Sequence, residues 1–169
     1  MLFAYQQYPI ADLNEWITNQ TLRLNPEFQR REIWLESARS FLIDTLLRGL
    51  PIPPVYMRMQ TNARTRTSYR EVVDGQQRLR SIVRFLDGSL KLDSRAKEFE
   101  GITWDQLTVE QQEEFLSYQV PVIQLFDVDD STVLDIFQRI NAYGLPLNSQ
   151  ERRHGHFQDV QYRGYFGKP

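Results

Sequence analysis

The sequence predicts a single α+β domain with a small mixed sheet of short strands surrounded by helices. Three observations point there. The chain has 169 residues, 41% hydrophobic and 25% charged, enough for one domain with a real core. Short β-branched and aromatic runs alternate with segments whose apolar residues recur at helical spacing. One stretch, YREVVDGQQRLRSIVRFL at 69–86, passes from strand to amphipathic helix through one Asp-Gly step. No repeat or low-complexity linker interrupts the chain, so residues 1–169 are expected to form one domain, with 155–169 a truncated or poorly ordered tail.

Taken in order, 11–20 reads as a short helix with Leu13, Trp16 and Ile17 on one face, followed by a short strand over 21–24 that Asn25-Pro26 ends. A strong helix is expected over 36–48, with Leu42, Ile43, Leu46 and Leu47 inward, Ser37 as its cap, and Gly49 and Pro51 as its stop. Val55–Met59 and Tyr69–Val73 read as antiparallel strands joined by the polar loop QTNARTRTS. The helix over 76–86 carries Leu79, Ile82, Val83 and Leu86 as an apolar stripe, and that stripe is core. Residues 90–104 are irregular. A helix follows over 105–118, with Thr108 and Gln111 at capping-box spacing. QVPVIQLF from Gln119 is a further strand, with Pro121 favouring an edge or strand start. A helix over 130–141 turns Val133, Ile136, Phe137 and Ile140 inward, and a last one opens at Asn148 or Ser149.

Charge and composition narrow the function. The formal net charge is −2, so any nucleic acid or nucleotide must be met at a local site, not by bulk attraction. Arginine is nonetheless concentrated: Arg64, Arg66, Arg70, Arg78, Arg80 and Arg84 fall in one span, and Arg139, Arg152 and Arg153 in another. With no cysteine, disulfides, thiolate nucleophiles and cysteine-ligated metals are excluded. The N-terminus has neither a basic region nor a sustained apolar run, and no segment approaches a membrane span, so a cytoplasmic setting without membrane contact is expected.

The chemistry concentrates at Asp74-Gly75-Gln76-Gln77-Arg78. A glycine between strand and helix permits a sharp turn and close approach of a ligand. The first amides of a helix lack intrahelical partners and lie at its positive end, a ready anion site. Gln76 and Gln77 can donate to oxygens or orient a water, and Arg78 can fork onto phosphate or carboxylate. Asp74 can cap the helix, accept a proton, or help hold a metal. A plain turn with an N-cap, followed by good helix formers, accounts for the same residues equally well. No GxxxxGK[ST] loop is present. Two further stretches repeat an aromatic–Gln–Arg pattern: FQRREIW with Arg30, and FQRIN with Arg139 and Asn141. Salt bridges with Glu32, Glu36 and Asp135 are the plain alternative for these arginines.

FQRREIW, LIDTLLRGLPIPPVYM, YREVVDGQQRLRSIVRFL and FQRINAYGLPLNSQERRH stand in the order seen in the ParB/sulfiredoxin-like domain that begins the GmrSD-type modification-dependent restriction enzymes. The resemblance runs from about Leu22 to His154. It implies a ParB-like fold and nucleoside triphosphate binding, with or without Mg2+, and hydrolysis coupled to DNA cleavage. By that resemblance Asp74, Gln77 and Arg78 are candidate catalytic residues, and Arg30, Gly75, Gln76, Arg139 and Asn141 candidate nucleotide-binding residues. Sulfiredoxin relatives use a cysteine, which is absent here, so a redox role is excluded. Full-length relatives add a C-terminal HNH-type nuclease. Here only His154 and His156 occur, in a polar stretch, and no metal site is expected.

The implied function is therefore a nucleotide-binding, NTP-hydrolysing domain of a DNA restriction or phage-defence system. Its expected partners are the nucleotide, DNA reached together with a nuclease domain or subunit, and a second copy of the chain. A metal-dependent DNA nickase using the same motif, and a non-catalytic sensor of DNA or of a partner protein, are the alternatives.

Overall fold

The computed structural model describes residues 2–24 and 34–143. The chain divides into two units, Met1–Phe137 and Gln138–Pro169; of the second, 138–143 are described. The first unit is built on a five-stranded mixed sheet, β1 (Leu2–Pro9), β2 (Leu22–Leu24), β3 (Val55–Asn62), β4 (Thr67–Asp74) and β5 (Gln119–Phe126), in the order β1-β5-β3-β4-β2. The helices are α1 (Ile10–Thr18), α2 (Glu36–Leu47), α3 (Gln76–Leu86), α4 (Val109–Ser117) and α5 (Asp130–Tyr143), with 3-10 turns at Ser94–Phe99 and Trp104–Gln106. This is the α+β class that the alternation of short strands and helices predicts.

Alternation along the strands divides the core between the two faces of the sheet. Val55, Met57, Val72, Val120 and Val122 point to one face, where Ile10 and Leu13 of α1, Leu42, Ile43 and Leu46 of α2, Leu79, Ile82 and Phe85 of α3, and Phe115 of α4 close over them. Val73, Ile123 and Leu125 point to the other, against Val133, Ile136 and Phe137 of α5. The α3 stripe is centred differently from the sequence reading. Phe85 is fully buried, with Phe115 at 5.4 Å and Trp104 at 6.0 Å between ring centroids, whereas Val83 is only half-buried.

Several local expectations are corrected. β1 has no counterpart in the sequence reading, yet it pairs antiparallel with β5 along its length, from Leu2↔Phe126 to Pro9↔Gln119. It is an edge strand with Phe3 and Tyr5 exposed, so no clean inward–outward alternation marks it. Leu35, not Ser37, occupies the N-cap of α2, without a side-chain cap. The 60–68 loop shrinks to a tight turn because β3 runs on to Asn62 and β4 starts at Thr67. The helix expected from 105 begins at Val109, since Trp104–Gln106 forms its own 3-10 turn. Its capping box is as read: Thr108 Oγ1 accepts from Gln111 N at 3.2 Å, and Gln111 Oε1 accepts from Thr108 N at 2.9 Å. Pro121 lies in an interior strand, not an edge. It is accommodated because β3 begins pairing with β5 at Val122, leaving Pro121 opposite Gln7 of β1 alone. The helix expected at Asn148 or Ser149 lies outside the described residues.

Candidate functional site

β3 and β4 pair antiparallel and deliver the chain to Asp74, the last residue of β4. Gly75 follows with φ 99° and ψ 10°, a left-handed conformation that turns strand into helix in one residue. Its carbonyl accepts the first helical hydrogen bond, from Leu79 N at 3.1 Å. The space a side chain would take at Gly75 is filled from within the protein. A Cβ there would lie 2.9 Å from Arg78 Nη2 and 3.0 and 3.2 Å from the two methyls of Val55. Glycine at this position thus admits the Arg78 guanidinium, where the sequence suggested room for a ligand.

Arg78 folds back over the turn. Its Nη2 donates to Pro54 O at 2.9 Å and to Asp74 Oδ2 at 3.2 Å, and among the described residues its buried Nε has no hydrogen-bond partner. Asp74 does not cap α3: the N-cap is Gly75, and no side chain caps it. Tyr56 stands close by. Burial raises its phenol above the ordinary value, the Asp74 carboxylate and Tyr5 add to that, and Arg78 opposes it. Gln76 is turned inward and buried, its Nε2 donating to Val72 O at 3.4 Å.

Gln77 points the other way, toward α2, and there it meets an arginine that the sequence reading did not single out. Arg39 is only 4% exposed. Its Nη2 donates to Gln77 Oε1 at 3.1 Å and its Nη1 to Ser81 Oγ at 3.2 Å, while Ser81 Oγ itself donates to Gln77 O at 2.7 Å. Arg39 Nε lies 3.6 Å from Glu36 Oε1, beyond hydrogen-bonding reach. Arg84 forks onto the same carboxylate at 2.7 and 3.4 Å.

Together Arg39, Gln77, Arg80 and Arg84 line a groove of about 360 Å3, whose apolar wall is Ile17, Leu24 and Val83. Two of these guanidinium groups, Arg39 and Arg84, approach one carboxylate, Glu36, at 3.6 and 2.7 Å. Among the described residues the buried Nε of Arg80 has no hydrogen-bond partner. Burial pushes Arg39 below the ordinary arginine value, and Arg84 and Arg80 push the same way against Glu36. The groove is chemically suited to an anion, because an oxyanion would relieve that mutual repulsion and accept from planar, forked donors. Residues 77, 80 and 84 share one flank of α3 by helical spacing, which was legible in the sequence; the arrival of Arg39 from α2 was not.

Arg30 lies outside the described residues, as do His154 and His156. Arg139 is exposed and Asn141 half-buried, both on the part of α5 that belongs to the second unit. Among the described residues no group of three or more His, Cys, Asp or Glu is placed to hold a metal ion. None of the described helices is long and apolar enough to cross a membrane.

The family described as GmrSD restriction endonuclease, N-terminal domain, matches residues 13–158. No curated protein matches the chain. Among solved structures, one similar to it is the C-terminally truncated chromosome-partitioning protein ParB from Caulobacter crescentus complexed with CTP-gamma-S, at 19% identity and a TM-score of 0.45. The similarity covers 86% of this chain and 56% of that one, so the chain spans little more than half the length of its ParB counterpart.

Proposed function

Because the chain belongs to the family of GmrSD restriction endonuclease N-terminal domains, we propose that it binds a nucleoside triphosphate in the service of DNA restriction, with the phosphates in the groove between α2 and α3. The observation that carries this reading is the convergence of Arg39, Arg80 and Arg84 on one groove, with Glu36 meeting two of the three guanidinium groups. Gln77 joins that groove to the Asp74–Arg78 turn. Its Oε1 is engaged by Arg39, which leaves the Nε2 hydrogens for a phosphate oxygen or the attacking water.

Hydrolysis would draw on the turn itself. Asp74 would act as base or hold a nucleotide-bound Mg2+, after exchanging its bond to Arg78 for one to the incoming group. Arg78 would then be released toward the transferring phosphoryl group. Gly75 and Gln76 would serve by shaping the turn and anchoring the start of α3. Arg30, Arg139 and Asn141 complete the proposed binding set by their resemblance to the family motifs. DNA would be cut by a partnered nuclease domain or subunit.

Calorimetric titration with each common NTP, paired with phosphate release, tests the reading. Arg39→Met keeps the buried volume and removes the charge. It should weaken NTP binding by about 1.5–3 kcal/mol, the range for hydrogen bonds to charged groups, or roughly 10- to 150-fold. Asp74→Asn should spare binding and abolish turnover. Unchanged NTP affinity in folded Arg39→Met protein would remove the groove from the phosphate site.

A further inference from the structure

The β3–β4 hairpin extends beyond the sheet that supports it. β5 pairs with β3 only from Val55 to Arg58, and β2 pairs with β4 only from Arg70 to Val72. The pairing of β3 with β4 nevertheless continues to Asn62↔Thr67. Among the described residues, 59–62 and 67–69 therefore form a two-stranded ribbon with no third strand on either side, and 61–68 are all exposed.

This arm is chemically uniform. From Gln60 to Arg70 the sequence is QTNARTRTSYR, without one acidic residue, and the rest is mainly Thr, Ser, Asn and Gln. Among the described residues, neither Arg64 nor Arg66 has an ion-pair partner. The nearest acid in sequence, Glu71, is paired with Arg58 at 2.6 Å. At the root, Arg23 stacks on the Tyr69 ring at 3.7 Å and Arg70 on the Trp16 ring at 4.2 Å.

The tip is held in one shape. Asn62 Oδ1 accepts from the backbone N–H of Arg64 at 3.0 Å and of Thr65 at 3.2 Å, and the Thr65 and Thr67 hydroxyls are 2.7 Å apart. Arg66 takes φ 56°, a left-handed conformation that glycine or asparagine would adopt at lower cost. A cationic side chain thus occupies a turn position whose backbone favours glycine or asparagine.

We infer that this hairpin is a DNA-contacting arm that enters the major groove of a duplex. Three to four residues per strand at about 3.4 Å each give a reach of about 10–14 Å. The major groove is about 12 Å wide and 8.5 Å deep and admits a two-stranded ribbon. Arg64 and Arg66 flank the groove on phosphates, and the hydroxyl and amide side chains of 61–68 face base edges. With net charge −2, the chain otherwise offers DNA no general attraction. This assignment rests on the hairpin alone and is independent of the nucleotide groove.

Fluorescence anisotropy with a labelled 24-base-pair DNA duplex tests it, with the single strand and an RNA duplex of the same sequence as competitors. The Arg64→Ala/Arg66→Ala double variant should weaken duplex binding at least 10-fold. It should also flatten the dependence of log K on log salt by about 1.8, two phosphate contacts at about 0.9 each. NTP affinity should not move. Arg66→Gly relieves the left-handed strain, so it should not lower the Tm while still weakening DNA binding, a pairing that a purely structural role would not give. The inference is overturned if wild-type protein binds no duplex, if the double variant keeps the wild-type affinity and salt slope, or if single strand or RNA duplex competes better than DNA duplex.

Discussion

Replacing Gly75 by alanine should damage the fold more than any other single-methyl addition near the turn. Two costs combine. The backbone at φ 99° lies where L-residues are disfavoured, by about 1–2 kcal/mol. The new methyl would also sit 2.9 Å from Arg78 Nη2 and 3.0 Å from Val55 Cγ2, inside the ~3.5–4.0 Å of favourable contact. Val55 is fully buried in a strand paired on both sides, so it has nowhere to retreat. Arg78 can withdraw only by leaving Asp74 and Pro54 O. Overpacking of this kind costs about 1–3 kcal/mol. The sum is about 2–5 kcal/mol, and at 2–4 °C per kcal/mol for a chain of this size the Tm should fall by at least roughly 4 °C. Urea titration followed by circular dichroism should show a lower midpoint with unchanged slope. Val55→Ala should cost less in the Gly75→Ala background than in the wild type, because it removes part of the clash. Gly75→Ala within about 0.5 kcal/mol of wild type would refute the argument that this glycine is required by the packing of Arg78 and Val55.

Three further outcomes follow from the same geometry. Arg58 is buried and joins Glu71 and Asp130, each at 2.6 Å; Arg58→Ala takes the guanidinium from a mostly buried carboxylate and should cost about 3–5 kcal/mol, whereas Asp130→Asn, at an exposed partner, should cost no more than about 1 kcal/mol, both read by urea titration. Thr108→Ala removes the cap of α4 and should cost about 1 kcal/mol by the same measurement. Asp129 accepts from Thr132 N at 2.7 Å, and that bond, with the Thr132 and Ser131 side chains, holds its carboxyl below the ordinary range. A folded-state pKa below the unfolded one gives stability that is present above the unfolded value, about 3.9, and is lost as pH falls through the folded value. Asp129→Asn should therefore lower stability at neutral pH, leave it nearly unchanged below the folded value, and so flatten the acid limb of a stability-versus-pH curve.

The sequence by itself determined whatever depends on neighbours a few residues apart. The strand–glycine–helix junction at Asp74–Gln76, the apolar spacing of Leu79 and Ile82, and the Thr108–Gln111 capping box were legible because backbone sterics, helical period and cap chemistry act within one turn of chain. The four ordered motifs identified the family for the same reason, since each is a local string. Tertiary structure decided what depends on distant segments meeting. β1 carries no clean alternation and becomes a strand because β5 offers it a full row of hydrogen-bond partners. Arg78, read as pointing to a ligand, turns back onto Asp74 and Pro54 because Gly75 leaves it room. Arg39 reaches Gln77 across 38 residues, and joins Arg80 and Arg84, because the packed cores of α2 and α3 set those helices side by side. No local signal specifies that register; only the burial of apolar side chains on both helices fixes which charged residues face each other across the groove.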